Sequence, residues 1–272
     1  MAKMDTPFLA TSQPVCFTTM DFYISVVCSS SDKPKLIFRS PMAMATVLDI
    51  QIPLQQEVAI PHWCDLLHHY VENNPEDHHP VVTQVSLYKQ RSLWPNFQHE
   101  FIVLEIRPHP RAPRPHVAPV TLRVSRNVHA NNNWLTRALA RWGLCGAMHD
   151  TVLNHGYNFP ILDGVRLYHI DWQLEDAPRL QYVSAVIYDI HTEMPKYCLL
   201  TTSCYTFARA VLETLNGAFN GPMQDQEAGF LTQQGHFLGV IPVRMTGAQR
   251  LAQGLIRIYR HHDWNLRISV SY

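Results

Sequence analysis

The sequence predicts an α+β domain, a mostly antiparallel sheet packed against helices. Three observations predict it. Short runs rich in β-branched and aromatic residues alternate with Pro, Ser and Asp punctuation. Separate stretches repeat apolar residues at helical spacing. No period of 20 to 50 residues recurs, which excludes a solenoid or propeller. The chain has 272 residues, 46% hydrophobic and 16% charged, enough to bury a full core, and no Ser/Gly-rich linker or charge run divides it.

Taken in order, residues 22–28, 35–38 and 46–52 read as N-terminal strands. A helix is expected over 61–71, where Pro61 suits the first helical position and Trp63, Leu66, Leu67 and Tyr70 form an apolar face. Strands follow at 82–88, 101–106 and 120–124, the last two separated by a proline-rich loop. A helix is expected over 134–142, since asparagines 131–133 can cap it and Gly143 can end it. Residues 165–172 read as a strand. The apolar residues Leu180, Val183, Val186, Ile187 and Ile190 then match a helix. The next helix starts near Cys204: Thr202 or Ser203 can cap it, and Phe207, Ala208, Val211, Leu212 and Leu215 make its buried face. A strand at 237–243, a helix at 248–259 and a strand at 265–270 complete the chain.

Lysine plus arginine balance aspartate plus glutamate at 22 each. No global positive field exists to hold nucleic acid, so no nucleic-acid partner is expected. The six cysteines are scattered without the pairing of a disulfide-rich secreted domain, and the first ten residues lack the sustained apolar segment of a signal peptide. A cytoplasmic protein with reduced thiols is expected. No apolar run reaches about 18 residues, so no transmembrane segment is expected.

A cysteine at a helix start is where a thiol can become a nucleophile, because unpaired N–H groups and the helix dipole favour thiolate. Such a thiol needs a base, usually histidine. His99, directly before the run Glu100-Phe-Ile-Val-Leu-Glu-Ile106, is rigidly placed at a strand end and still reachable. The bland reading stands beside this one, since Cys204 shares the apolar stripe of Ala208 and a cysteine there is commonly a small buried hydrophobe.

A strand-opening histidine, a second strand and then a helix-start cysteine resemble the circularly permuted branch of the papain-like superfamily, including lecithin:retinol acyltransferase-like and PPPDE-like proteins related to the NlpC/P60 peptidases. More narrowly, Phe97-Gln-His-Glu-Phe101, Leu122-Arg-Val-Ser-Arg126, His149-Asp-Thr-Val152 and the segment Tyr197 to Ala208 resemble an uncharacterised fungal family with a His-Glu-Phe strand and a Cys-Tyr-x-Phe-Ala helix. The resemblance covers about residues 90–217 and implies a papain-like core there; composition favours one domain over 1–272, which leaves a β-rich N-terminal extension with a short helix at 1–89 and a strand-helix-strand extension at 218–272. It implies Cys204 as nucleophile and His99 as base. The reaction would be hydrolysis or acyl transfer on an amide, peptide or (thio)ester bond through an acyl-enzyme intermediate. Where the acyltransferase-like proteins place a polar orienter, this strand offers Arg123, Ser125 and Arg126, and Ser203 stands where some relatives have asparagine. These four are auxiliary or substrate-binding candidates. An arginine has no acceptor with which to hold an imidazole N–H. The alternative function is a catalytically inactive papain-like binding or structural protein, using the Pro/Arg loop or the C-terminal helix for contacts.

No cofactor or metal is expected. His62, Cys64, His68 and His69 have zinc-ligand chemistry, but no Cys-x-x-Cys or His-Glu-x-x-His element supports them, and a histidine-rich helix face is more commonly solvated. The loop from Arg107 to His116 is stiff and locally basic, a candidate contact for a protein partner and more simply a hairpin insertion. Asp150 and Asp171 read as caps or surface residues.

Overall fold

In a computed structural model, residues 56–90, 99–112, 118–128, 134, 148–157, 164–198, 202–225, 236–237, 241–242 and 246–261 are described. They form β1 (Glu57–Ala59), α1 (Ile60–Asn73), β2 (Val81–Gln90), β3 (Glu100–Arg107), β4 (Val120–Val128), β5 (Met148–Tyr157) and β6 (Gly164–Asp171). These are followed by α2 (Leu180–Glu193), α3 (Cys204–Phe219), β7 (Met223–Asp225), β8 (His236–Phe237), β9 (Ile241–Pro242) and α4 (Thr246–His261). Strands β1 to β7 make one antiparallel sheet in the order β1-β5-β4-β3-β2-β6-β7, and β8 pairs with β9. The α+β expectation holds.

Strand alternation sorts the sheet into two faces. On β3, Ile102, Leu104 and Ile106 belong to the main core with the helices; their cross-strand partners Leu87, Val85, Leu122 and Val124 join them there. Phe101 and Val103 are buried but lie outside that cluster. Helix α3 packs over β2, β3 and β4, α1 and α2 pack on each other, and α4 packs on α3. The apolar stripes read from the sequence are the faces that go inward: Trp63 and Leu67 of α1, Val183, Ile187 and Ile190 of α2, Phe207, Val211 and Leu215 of α3. Each such side chain contributes about 1.5–3 kcal/mol of burial, which offsets the ordering cost of helices with few side-chain caps.

Capping departs from expectation. Ser203 is the N-cap of α3 in extended backbone, yet its hydroxyl makes no capping bond. Instead its carbonyl accepts from Phe207 N–H at 3.0 Å and from the Thr206 hydroxyl at 2.9 Å. The helix ends on Asn220 in the left-handed region, a conformation asparagine tolerates. Gly156 occupies the same region at a β4–β5 register shift and donates its N–H to Asn154 Oδ1 at 2.8 Å.

Three further differences concern strands. β5, with Asp150 inside it, is a strand where no element was expected. The single strand expected over 237–243 is represented by the paired fragments β8 and β9. β1 and β7 are three-residue edge strands with no sequence signal. The strands expected at 22–28, 35–38, 46–52 and 265–270 lie outside the described residues, as does the helix over 134–142 except Trp134.

Candidate functional site

The end of the sheet beneath the N-terminus of α3 collects most of the buried charge. Lys89 on β2 and Glu100 on β3 are register partners, so both project to the helix side. Their side chains are wholly buried, with Nζ 4.0 Å from Oε1. Lys89 Nζ also stands 5.5 Å from the centre of the Tyr205 ring. Burial lowers the Lys89 pKa, while Glu100 and Cys204 act to raise it.

Cys204 closes this cluster. The His99 carbonyl accepts from Gln90 N–H at 2.8 Å toward β2, so the adjoining Glu100 N–H points the other way. There the β3–β4 ladder has already ended at Ile102↔Val124. The Cys204 sulfur accepts that N–H in place of a strand carbonyl and has a side-chain hydrogen bond with Tyr197. Only 4% exposed, the thiol is pushed up to about 12, with burial the largest cause and the Glu100 carboxylate acting in the same direction. At this helix start burial dominates, raising the thiol pKa although the Glu100 and Tyr205 N–H groups act to lower it.

A second buried network lies alongside. Arg126 on β4 holds Asp150 on β5 through Nε at 2.9 and 3.1 Å and Nη2 at 2.5 Å, with both side chains wholly buried. Its Nη1 donates to the Thr202 carbonyl at 3.4 Å, and its guanidinium lies 4.6 Å from the Phe207 ring centre. His191, near the end of α2, places Nδ1 2.8 Å from Asp150 Oδ2. Asp150 thus ties β4, β5, the C-terminus of α2 and, through Arg126, the segment entering α3. Asp150 is neither a cap nor a surface residue, and His191 carried no motif that singled it out.

The other sequence-derived candidates sit on the opposite face. His99 stacks on Phe101 with ring centres 6.1 Å apart; Arg123 lies 3.9 Å above that ring, and Tyr88 stacks on it at 5.7 Å. Ser125 pairs with the Thr151 hydroxyl at 3.4 Å and accepts from Asn127 at the same distance. His99 Nε2 is sealed from solvent and has no hydrogen-bond partner among the described residues. Burial, assisted by Arg123, pushes the His99 pKa down to about 3.

The structure consequently does not bring Cys204 and His99 together. They flank the same strand on opposite faces: Cys204 takes the Glu100 N–H on the helix side, and His99 stacks on Phe101 on the other. Of the auxiliary candidates, Arg126 is committed to Asp150, Arg123 and Ser125 lie with His99, and the Ser203 hydroxyl is buried without a partner among the described residues. Cys64 points inward, donating to the Ser184 carbonyl at 3.7 Å, with burial pushing its pKa up to about 12. His68 and His69 turn instead toward Glu72 on the surface. Asp171 accepts from Gln84 at 2.6 Å and is part-exposed. In the Arg107 to His116 loop, Arg107 folds back on Glu105 and Ala112 N–H closes a turn onto His109; residues 113–117 lie outside the described set.

Compared with protein-family models, curated proteins and solved structures, the chain matches none. Among the described residues no helix is long and apolar enough to cross a membrane.

Proposed function

We propose that this chain is a catalytically inactive papain-like binding or structural protein. The observation that carries the reading is the environment of Cys204, whose sulfur is buried as the acceptor for the Glu100 N–H while the imidazole that would serve it faces the other side of β3. A carbonyl substrate has no thiolate to meet, and the carboxylate beside the sulfur opposes making one. Lys89, Glu100, Arg126 and Asp150 act as an internal ionic lattice that positions the start of α3. Such lattices hold one arrangement of a core at some cost in desolvation.

The thiol hydrolase or acyltransferase reading retains one favourable observation, the location of Cys204 as the first residue of α3. Limited iodoacetamide labelling followed by intact mass and peptide mapping separates the two. The proposal expects Cys204 to stay unlabelled in the native protein, to label once urea unfolds the chain, and to behave identically in His99→Ala. Labelling of Cys204 ahead of the other five cysteines, suppressed by His99→Ala, would overturn it in favour of the enzyme.

A further inference from the structure

Helix α4 is amphipathic in an unusual way. Its apolar side, Ala248, Ala252, Leu255 and Tyr259, is buried, and Tyr259 fixes it to α2 by donating to Asp189 Oδ2 at 2.6 Å. Its outer side repeats at spacings of three and four residues: Gly247, Arg250, Gly254, Arg257. That spacing makes one straight stripe, with each like pair about 10.5 Å apart along the axis. The stripe alternates a missing side chain with a cation. A Cβ added at either glycine would meet nothing within 4 Å, so both positions are bare, open helix surface. Arg250 and Arg257 are exposed and have no ion-pair partner among the described residues. No aspartate or glutamate occurs anywhere in α4. Ile258, 43% exposed, borders the stripe beside Gly254.

We propose that this outer face of α4 docks an acidic amphipathic helix of a partner protein, which deepens the binding-protein reading above and rests on it. Carboxylates spaced one heptad apart would pair with Arg250 and Arg257, and an apolar side chain between them would lie over the bare backbone at Gly254 beside Ile258. Glycine at the crossing allows two helix backbones to approach closely, while charge of one sign selects an acidic partner and disfavours a basic one. Other anionic surfaces fit less well. A membrane surface would need a free apolar face, and that of α4 is already buried in the core. Single-stranded nucleic acid would need exposed aromatic rings, and the one aromatic of α4, Tyr259, is 2% exposed. Arg260, the remaining cation, is turned back with Nε donating to the Gly217 carbonyl at 2.6 Å.

The test uses the full-length protein and a fluorescein-labelled synthetic helix of three heptads, with leucine once per heptad and glutamate at the flanking positions. Fluorescence anisotropy should show saturable binding that weakens as salt is raised. Arg250→Glu/Arg257→Glu should weaken it at least about tenfold, and Gly254→Leu should weaken it by holding the two helix backbones apart. Circular dichroism should show both variants folded, because neither side chain is buried. A peptide with lysine in place of glutamate should not bind. No binding of the acidic peptide, equal binding to the double arginine variant, or tighter arginine-dependent binding of single-stranded RNA or phosphatidylserine vesicles would overturn the docking proposal. Failure here with Cys204 still unlabelled removes the acidic-helix partner alone; labelling of Cys204 governed by His99 removes the noncatalytic reading whatever the peptide does.

Discussion

Asp150→Asn is the most discriminating perturbation of the buried lattice. The change is nearly isosteric, so packing is preserved while the wholly buried Arg126 guanidinium loses the carboxylate it contacts through Nε and Nη2. The remaining Arg126 contacts, the Thr202 carbonyl at 3.4 Å and the Phe207 ring at 4.6 Å, do not replace a counter-charge. Removing one partner of a buried pair costs about 3–5 kcal/mol, and with a urea m-value of about 2–3 kcal/mol/M the midpoint should fall by roughly 1–2.5 M. His191 adds little to this loss, being part-exposed and able to rehydrate. The double substitution Arg126→Met/Asp150→Val removes both charges and should recover most of the loss, to within about 1 kcal/mol of wild type. Urea unfolding followed by tryptophan fluorescence measures both. A midpoint for Asp150→Asn unchanged within error, or a double variant less stable than the single one, would refute the claim that this pair is a buried and mutually dependent unit.

Two further outcomes follow from other parts of the core. The His99 pKa is lowered from 6.5 to about 3, so below pH 6.5 the unfolded chain binds a proton that the folded chain refuses, and stability falls as pH drops through that window. His99→Phe should remove this acid sensitivity, an advantage of about 2 kcal/mol over wild type at pH 5 relative to pH 7. Parallel urea curves at the two pH values test it, and equal pH dependence in both proteins would contradict the burial of Nε2. Gly221→Ala would set a methyl against the Ile170 side chain and 2.7 Å from Trp172 Cε2. Overpacking of about 1–3 kcal/mol should lower the melting temperature by several degrees, whereas Gly254→Ala, in open space, should leave it unchanged or higher.

The helices were legible because their burial follows one periodicity. Trp63 and Leu67, Val183 and Ile187, and Phe207 and Val211 repeat at helical spacing whether or not the partner surface is known. β5 was not legible, since its helix-facing positions run Asp150, Val152 and Asn154, and a charge in such a position reads as surface. Its burial depends on Arg126, 24 residues earlier in sequence and brought opposite by register, Arg126↔Asp150. The paired fragments β8 and β9 were hidden for a similar reason, because hydrogen bonding between short pieces leaves no periodic mark. Lys89 and Glu100 likewise acquire meaning only as register partners.

The candidate site turned on the phase of one strand. The order histidine, strand, helix-start cysteine is a statement about sequence, and it is blind to which face of β3 meets α3. In the apolar stretch Phe101-Ile-Val-Leu104 both faces are greasy, so phase cannot be read there. It can be read one step further on, where Glu105 and Ile106 differ in polarity: Ile106 must go inward, and strict alternation sends Leu104, Ile102 and Glu100 inward with it. The neighbouring strand agrees, with Val124 inward and Arg123 outward. Counting back in twos from Ile106 therefore delivers Glu100, not His99, to the start of α3. Turning His99 toward Cys204 with the rest of β3 unchanged would require a bulge between residues 99 and 100; shifting the whole strand would instead drive three buried apolar residues, Ile102, Leu104 and Ile106, out of the helix-packed core. At about 1.5–3 kcal/mol for each buried side chain, the core selects the phase, and the phase sets a carboxylate rather than an imidazole beside the thiol.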